Sequence, residues 1–107
     1  MPRLALPLAA ALCLIAAAPA IAAEARCYNS DDGDYDCRFS QFGGDGSFVV
    51  SAPMRPTYTL EMLSDGVASA FGDFGSGNRF LPGPFLRSRT DPACWISEAT
   101  GFALCVY

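Results

Sequence analysis

The 107-residue chain contains no histidine and no lysine. Without histidine it lacks the one side chain whose ordinary pKa lies near neutrality, and with it the usual general base; without lysine, Schiff-base chemistry has no amine. Its seven basic residues are all arginine and stand against eleven acidic ones, a formal net charge of −4. That balance offers no net basic face, so neither nucleic acid nor an anionic lipid surface is an expected partner. Long apolar runs are almost absent too. The single one, Leu4 to Ala18, lies near the N-terminus, and no stop-transfer segment follows it.

What is present begins with that run. A basic start at Arg3, the apolar stretch and small residues ending at Ala22-Ala23 have the form of a secretory signal peptide over residues 1–23, to be cleaved before residues 24–107 do their work in the periplasm or outside the cell. Cys13 falls inside the leader and leaves with it. After cleavage no membrane insertion is expected, and a single small domain remains. A domain of that size buries only about 60% of its unfolded surface, so covalent staples are expected.

Four cysteines supply them, in two similar spacings: Cys27 to Cys37 and Cys94 to Cys105. Export favours their oxidation to disulfides. Each pair fits a hairpin. In the first, a loop Asp31-Asp32-Gly33 would pair Ser30 with Asp34 and set Cys27 opposite Cys37; in the second, a loop Glu98-Ala99-Thr100-Gly101 would pair Ser97 with Phe102 and set Cys94 opposite Cys105. Turn chemistry and register thus favour two local bridges, although four cysteines allow three connectivities. A four-cysteine zinc site is the alternative, and neither pair has the short spacing that zinc sites use.

The remaining pattern is all-β. Turn signals recur every eight to twelve residues: Gly43-Gly44-Asp45-Gly46, Ser64-Asp65-Gly66 and Gly75-Ser76-Gly77-Asn78, with corners at Pro53 to Pro56 and at Pro82-Gly83-Pro84 that a central strand should not contain. Between them, Thr57 to Met62 alternates so that Tyr58, Leu60 and Met62 share an inner face; Ser47 to Ala52 does the same with Phe48, Val50 and Ala52. Val67 to Phe74 reads as a looser strand weakened by Gly72. The second hairpin puts Trp95 on an inner face with Ser97, Phe102 and Val106. The expected fold is a small antiparallel β-sandwich or barrel of six to eight short strands carrying two disulfide-stapled hairpins.

Residues of these types suit three kinds of chemistry. The acidic stretch Asn29 to Asp36 invites a calcium reading, but counting back from Gly33 the alternating places hold Tyr28, Ser30 and Asp32, a poor ligand set, and turn initiation explains the residues more simply. No metal and no cofactor is therefore expected. Catalysis would need paired carboxylates split in pKa by burial; the aspartates here sit in turns or beside glycine, and a hydrolase of that kind is the alternative, not the expectation. Recognition remains. The segment Phe71 to Arg89 crowds aromatics and arginines among glycines, and the candidate patch comprises Ser76, Asn78, Arg79, Phe80, Phe85, Arg87 and Arg89. Aromatic plus arginine anchors are the residues that dominate binding surfaces. The competing reading makes the phenylalanines core and pairs the arginines with the acidic hairpin.

Within this segment Ser76-Gly77-Asn78-Arg79-Phe80 is similar to the S-G-x-x-Y loop with which periplasmic C-type lysozyme inhibitors block their target, and Tyr35-Asp36-Cys37 resembles their early Y-x-C. Phe80 stands where those proteins carry tyrosine, and the two-hairpin cysteine pattern is not theirs. The resemblance implies a rigid β scaffold presenting a loop to a macromolecule. The expected function is thus a non-catalytic binding or inhibitory module of the periplasm or cell envelope, with a protein or glycan partner; a structural envelope component without a discrete ligand is the other alternative.

Overall fold

The structure, a computed structural model, describes residues 22–107. The expected leader lies outside the described residues except for its last two. Eight strands follow one another: β1 Ala23–Asn29, β2 Gly33–Phe42, β3 Ser47–Ser51, β4 Thr57–Ser64, β5 Val67–Asp73, β6 Asn78–Arg87, β7 Cys94–Ser97 and β8 Ala103–Val106. Each pairs antiparallel with the next, and β8 returns to β1, so the meander closes into a barrel. Closure consumes the sheet edges that an open meander would leave.

Period-two alternation places one residue in two inside. The inner faces supply Phe48 and Val50 from β3, Tyr58 and Leu60 from β4, Ala68 and Ala70 from β5, Phe85 from β6, Trp95 from β7 and Leu104 from β8, each buried in one core. The small side chains of β5 face the large ones of β4 and β6: Ala70 lies opposite Leu60 and Ala68 opposite Phe85. Large against small is how an eight-stranded barrel fills its interior without a void. The expected faces of Thr57 to Met62 and Ser47 to Ala52 are those observed, with Tyr58 and Leu60 at most 1% exposed. Trp95, at 2%, is core as expected.

Both local bridges are present, Cys27–Cys37 and Cys94–Cys105. The second hairpin has the expected register, with Cys94 opposite Cys105 and the Ser97 amide donating to the Phe102 carbonyl. The first does not. Cys27 lies opposite Tyr35, and Ala25 opposite Cys37, because the loop is Ser30-Asp31-Asp32 and Gly33 already pairs with Asn29. Asn29 causes the difference: its buried side-chain oxygen accepts hydrogen bonds from the amides of Asp31 (2.9 Å) and Asp32 (2.8 Å), which closes the turn one residue earlier than glycine placement suggests. The bridge is therefore diagonal, between residues two steps out of register on one face.

A second correction concerns Pro82-Gly83-Pro84. These residues lie inside β6, but as a bulge: Leu81 pairs with Ala70 and Phe85 with Ala68, so three residues of β6 oppose Ser69 alone. The Gly83-Pro84 peptide bond is cis. Two bonds tie the bulge to the neighbouring turn. The Ser97 hydroxyl donates to the Pro82 carbonyl at 2.7 Å, and the Glu98 amide donates to the Pro84 carbonyl at 2.9 Å. Proline is tolerated here because neither ring needs to donate to a ladder.

Candidate functional site

The barrel has two mouths. At one, the β1–β2, β3–β4, β5–β6 and β7–β8 turns gather; at the other lie the β2–β3, β4–β5 and β6–β7 turns and the start of β1. The bulge splits the wall at the first mouth. β7 begins its pairing at Phe85, so Asn78 to Leu81 of β6 pair only with β5, and a cleft of about 160 Å³ opens between this hairpin and the β7–β8 turn. Its floor is Tyr58, Phe85 and Phe102, and its rim carries Asp31, Phe74 and Thr100.

Phe74 is the lid of this mouth. Its ring lies edge-on to Tyr58, with centroids 6.0 Å apart, and folds back over Gly72 so closely that a Cβ there would stand 2.7 Å from the ring. Gly72 thus makes room for an aromatic cap, a role beyond a weak spot in the strand. On the other side of Phe74 a groove runs past Met54, Arg55, Pro56 and Asp73. Met54 is 99% exposed and holds a left-handed backbone, φ 63°. A non-glycine residue in that region carries about 1–2 kcal/mol of strain, and such positions concentrate at functional surfaces. Phe80, at 63%, and Phe74, at 50%, extend the exposed apolar rim along the β5–β6 hairpin. The hairpin tip is ordered by Asp73, whose carboxylate accepts from the amides of Gly75 (2.8 Å) and Gly77 (3.3 Å).

From this groove toward the first hairpin the rim becomes polar and locked. Arg55 pairs with Asp32 at 3.4 Å and stacks over the Tyr35 ring at 4.7 Å, pinning the β3–β4 loop to the first hairpin. The Asn29 amide nitrogen donates to Asp32 at 3.0 Å. Beneath this cluster, burial pushes the Tyr58 phenol up to about 12, and the charges of Asp32 and other neighbours add to the shift. Burial raises Tyr35 as well.

The seven residues of the expected patch do not form one surface. Ser76, Asn78, Arg79 and Phe80 share the β5–β6 hairpin at the first mouth. Phe85 is 0% exposed in the core and reaches only the cleft floor. Arg87 and Arg89 lie at the other mouth, where Arg87 stacks over Trp95 at 4.9 Å and Arg89 is exposed beyond the end of β6. Phe85 and Arg87 share the inward side of β6, opposite Ser97 and Trp95, but β6 ends at Arg87 and runs the length of the barrel, so the two side chains stand at different depths. The competing idea that these arginines pair with the acidic hairpin is not observed. The ion pairs among the described residues are Arg26–Asp36, Arg38–Glu24 and Arg55–Asp32.

Met54, Thr100 and Phe102 join the site only through folding, since they come from turns far apart in sequence. The one signal for Met54 was its place in an exposed Pro53 to Pro56 corner. Among the described residues no group of three or more potential metal ligands gathers, and the buried polar side chains are Asn29, Ser47 and Ser97, none a carboxylate. Comparison with protein-family models, curated proteins and solved structures finds no match.

Proposed function

We propose that the protein is an exported, non-catalytic binding module whose β5–β6 hairpin and adjoining cleft engage a protein or glycan of the cell envelope. The observation that carries this reading is that Met54, Phe74 and Phe80, large apolar side chains mostly in solvent, stand on the turn and hairpin that flank the cleft at the first mouth, whereas the exposed Phe42, Leu63 and Tyr107 lie at the other end. Exposed anchors beside a cleft, on a scaffold stiffened by closure and two disulfides, bind with little ordering cost. The absence of histidine and lysine from the sequence, and of any carboxylate among the buried side chains of the described residues, supports recognition over a carboxylate-dependent hydrolase. Two disulfides fit an oxidising compartment.

The test is capture followed by reconstitution. Residues 24–107 are used as bait against an envelope extract, a retained component is purified, and its affinity is measured for the wild type and for Phe74→Ser/Phe80→Ser. The double variant should bind at least tenfold more weakly with an unchanged fold. A C-type lysozyme is the purified partner to try at the outset, because Ser76 to Phe80 forms the exposed tip. Turnover of an envelope substrate would replace this reading with the hydrolase, and neither capture nor turnover would leave a structural component.

A further inference from the structure

We propose that the second mouth of the barrel is a separate ligand site, for a small carboxylate with an apolar body, in which Arg87 receives the carboxylate. This goes beyond the macromolecular surface at the first mouth and shares no residue with it. The cavity here measures about 360 Å³, within the range that small ligands occupy, and it is the larger of the two mouths. Phe39, Phe48, Trp95 and Val106 supply apolar wall, and Gln41 a neutral polar group. An eight-stranded barrel is wide enough either to be filled by side chains or to hold one small molecule, and here the cavity rests on Phe48 and Trp95, which belong to the packed core.

Arg87 gives the cavity its chemistry. It lies directly opposite Trp95 across the β6–β7 ladder, and the guanidinium lies over the indole at 4.9 Å. Stacking holds the planar group by its face and leaves its edge, where the N–H donors are, to accept a carboxylate in the two-point manner that arginine favours. None of the ion pairs among the described residues involves Arg87. The one acidic side chain that lines the cavity, Glu24, pairs instead with Arg38 at 3.6 Å. An arginine at the rim of an apolar cavity, fixed by the only tryptophan and uncommitted to any internal carboxylate, is complementary to an amphiphilic anion.

Trp95 makes the proposal directly measurable, since the chain has a single tryptophan and it carries the stacked arginine. Octanoate, phenylacetate and, as a neutral control, octanol are titrated into residues 24–107 while tryptophan fluorescence is followed, with calorimetry as a second readout. At least one carboxylate should saturate, and octanol should bind at least tenfold more weakly than octanoate if the chain is aliphatic; preference for phenylacetate would assign an aromatic body. Arg87→Gln should weaken the bound carboxylate at least tenfold with an unchanged circular dichroism spectrum, and Arg87→Lys, which keeps the charge without the fork, should fall between. Saturation of neither acid by either readout would overturn the proposal. So would octanol matching the better acid, or full affinity in Arg87→Gln. Should the glutamine variant fail to fold, the wild-type contrast between acid and alcohol decides alone.

Discussion

The two stapled hairpins look like copies in the sequence, with cysteines 10 and 11 residues apart, and they are neighbours in the barrel through β1 and β8, yet their bridges lie on opposite faces of the wall. Cys27 and Cys37 point inward and belong to the core; Cys94 and Cys105 are covered but outside it, with the Tyr107 hydroxyl 3.5 Å from the Cys94 sulfur. The reason is parity. In the second hairpin Trp95 takes the inner place, so its neighbour Cys94 must face out; in the first, Cys27 lies two residues from buried Asn29 and shares its inward side. The same covalent motif therefore does two jobs, as core filling in one hairpin and as an outer clasp in the other.

Removing each bridge should expose that difference. Cys27→Ala/Cys37→Ala should lose the loop-entropy contribution of roughly 3 kcal/mol and a further ~1–2 kcal/mol from unpacked core, the largest effect in the molecule. Trp95→Ala, which empties the inner face of the second hairpin, should cost about 3–5 kcal/mol. Cys94→Ala/Cys105→Ala should cost about 3 kcal/mol, the entropic part alone. Denaturant unfolding of the three variants ranks them. Equal losses from the two cystine variants would mean that position relative to the wall does not matter, and the comparison would fail.

A pH series sharpens the contrast at the mouth above the first hairpin. Tyr58 has its folded pKa raised to about 12, so its contribution to stability is fully present below the unfolded value near 10 and is lost as pH rises toward 12. The loss should reach roughly 2–3 kcal/mol. Tyr35 shifts in the same direction, as does Tyr107, whose phenol donates to Asp91 at 2.6 Å over the second hairpin. Tyr58→Phe should remove most of the alkaline loss, whereas Tyr107→Phe should remove little. With no histidine to charge, stability between about pH 5 and 8 should be nearly flat. A steep slope in that window would reveal a buried group and reopen the hydrolase reading.

The smallest effects on stability belong to the two mouths. Phe80→Ser should change unfolding free energy by less than about 0.5 kcal/mol, because the side chain is mostly in solvent. Gly72→Ala should cost more, about 1–3 kcal/mol, because the added methyl would displace Phe74 and also stand 3.3 Å from the buried Tyr58 ring, and it should weaken partner capture by unseating the aromatic cap. Arg87→Ala/Arg89→Ala should leave capture at the first mouth intact. A loss of capture in that double variant would rejoin the two arginines to the hairpin surface and break the separation between the ends.

Much of this was legible from residue order. Period-two alternation identified the inner faces of β3 and β4, the turn residues placed most strand ends, and oxidised local pairing followed from spacing and turn chemistry. Those are short-range properties, fixed by which residues sit next to one another. The first hairpin misread its register by a single place because a buried Asn29 took over the turn amides, and burial of a polar side chain is a tertiary fact. The bulge at Pro82-Gly83-Pro84 became acceptable inside a strand only because the β7–β8 turn supplied its bonds. The candidate patch, continuous along the chain, was divided between two mouths because β6 runs from one end of the barrel to the other. Sequence thus determined the strands, the staples and the kinds of side chain available for recognition. Closure of β8 onto β1, which no local signal encodes, decided which of them meet, since only there do turns far apart in the chain converge on one cleft.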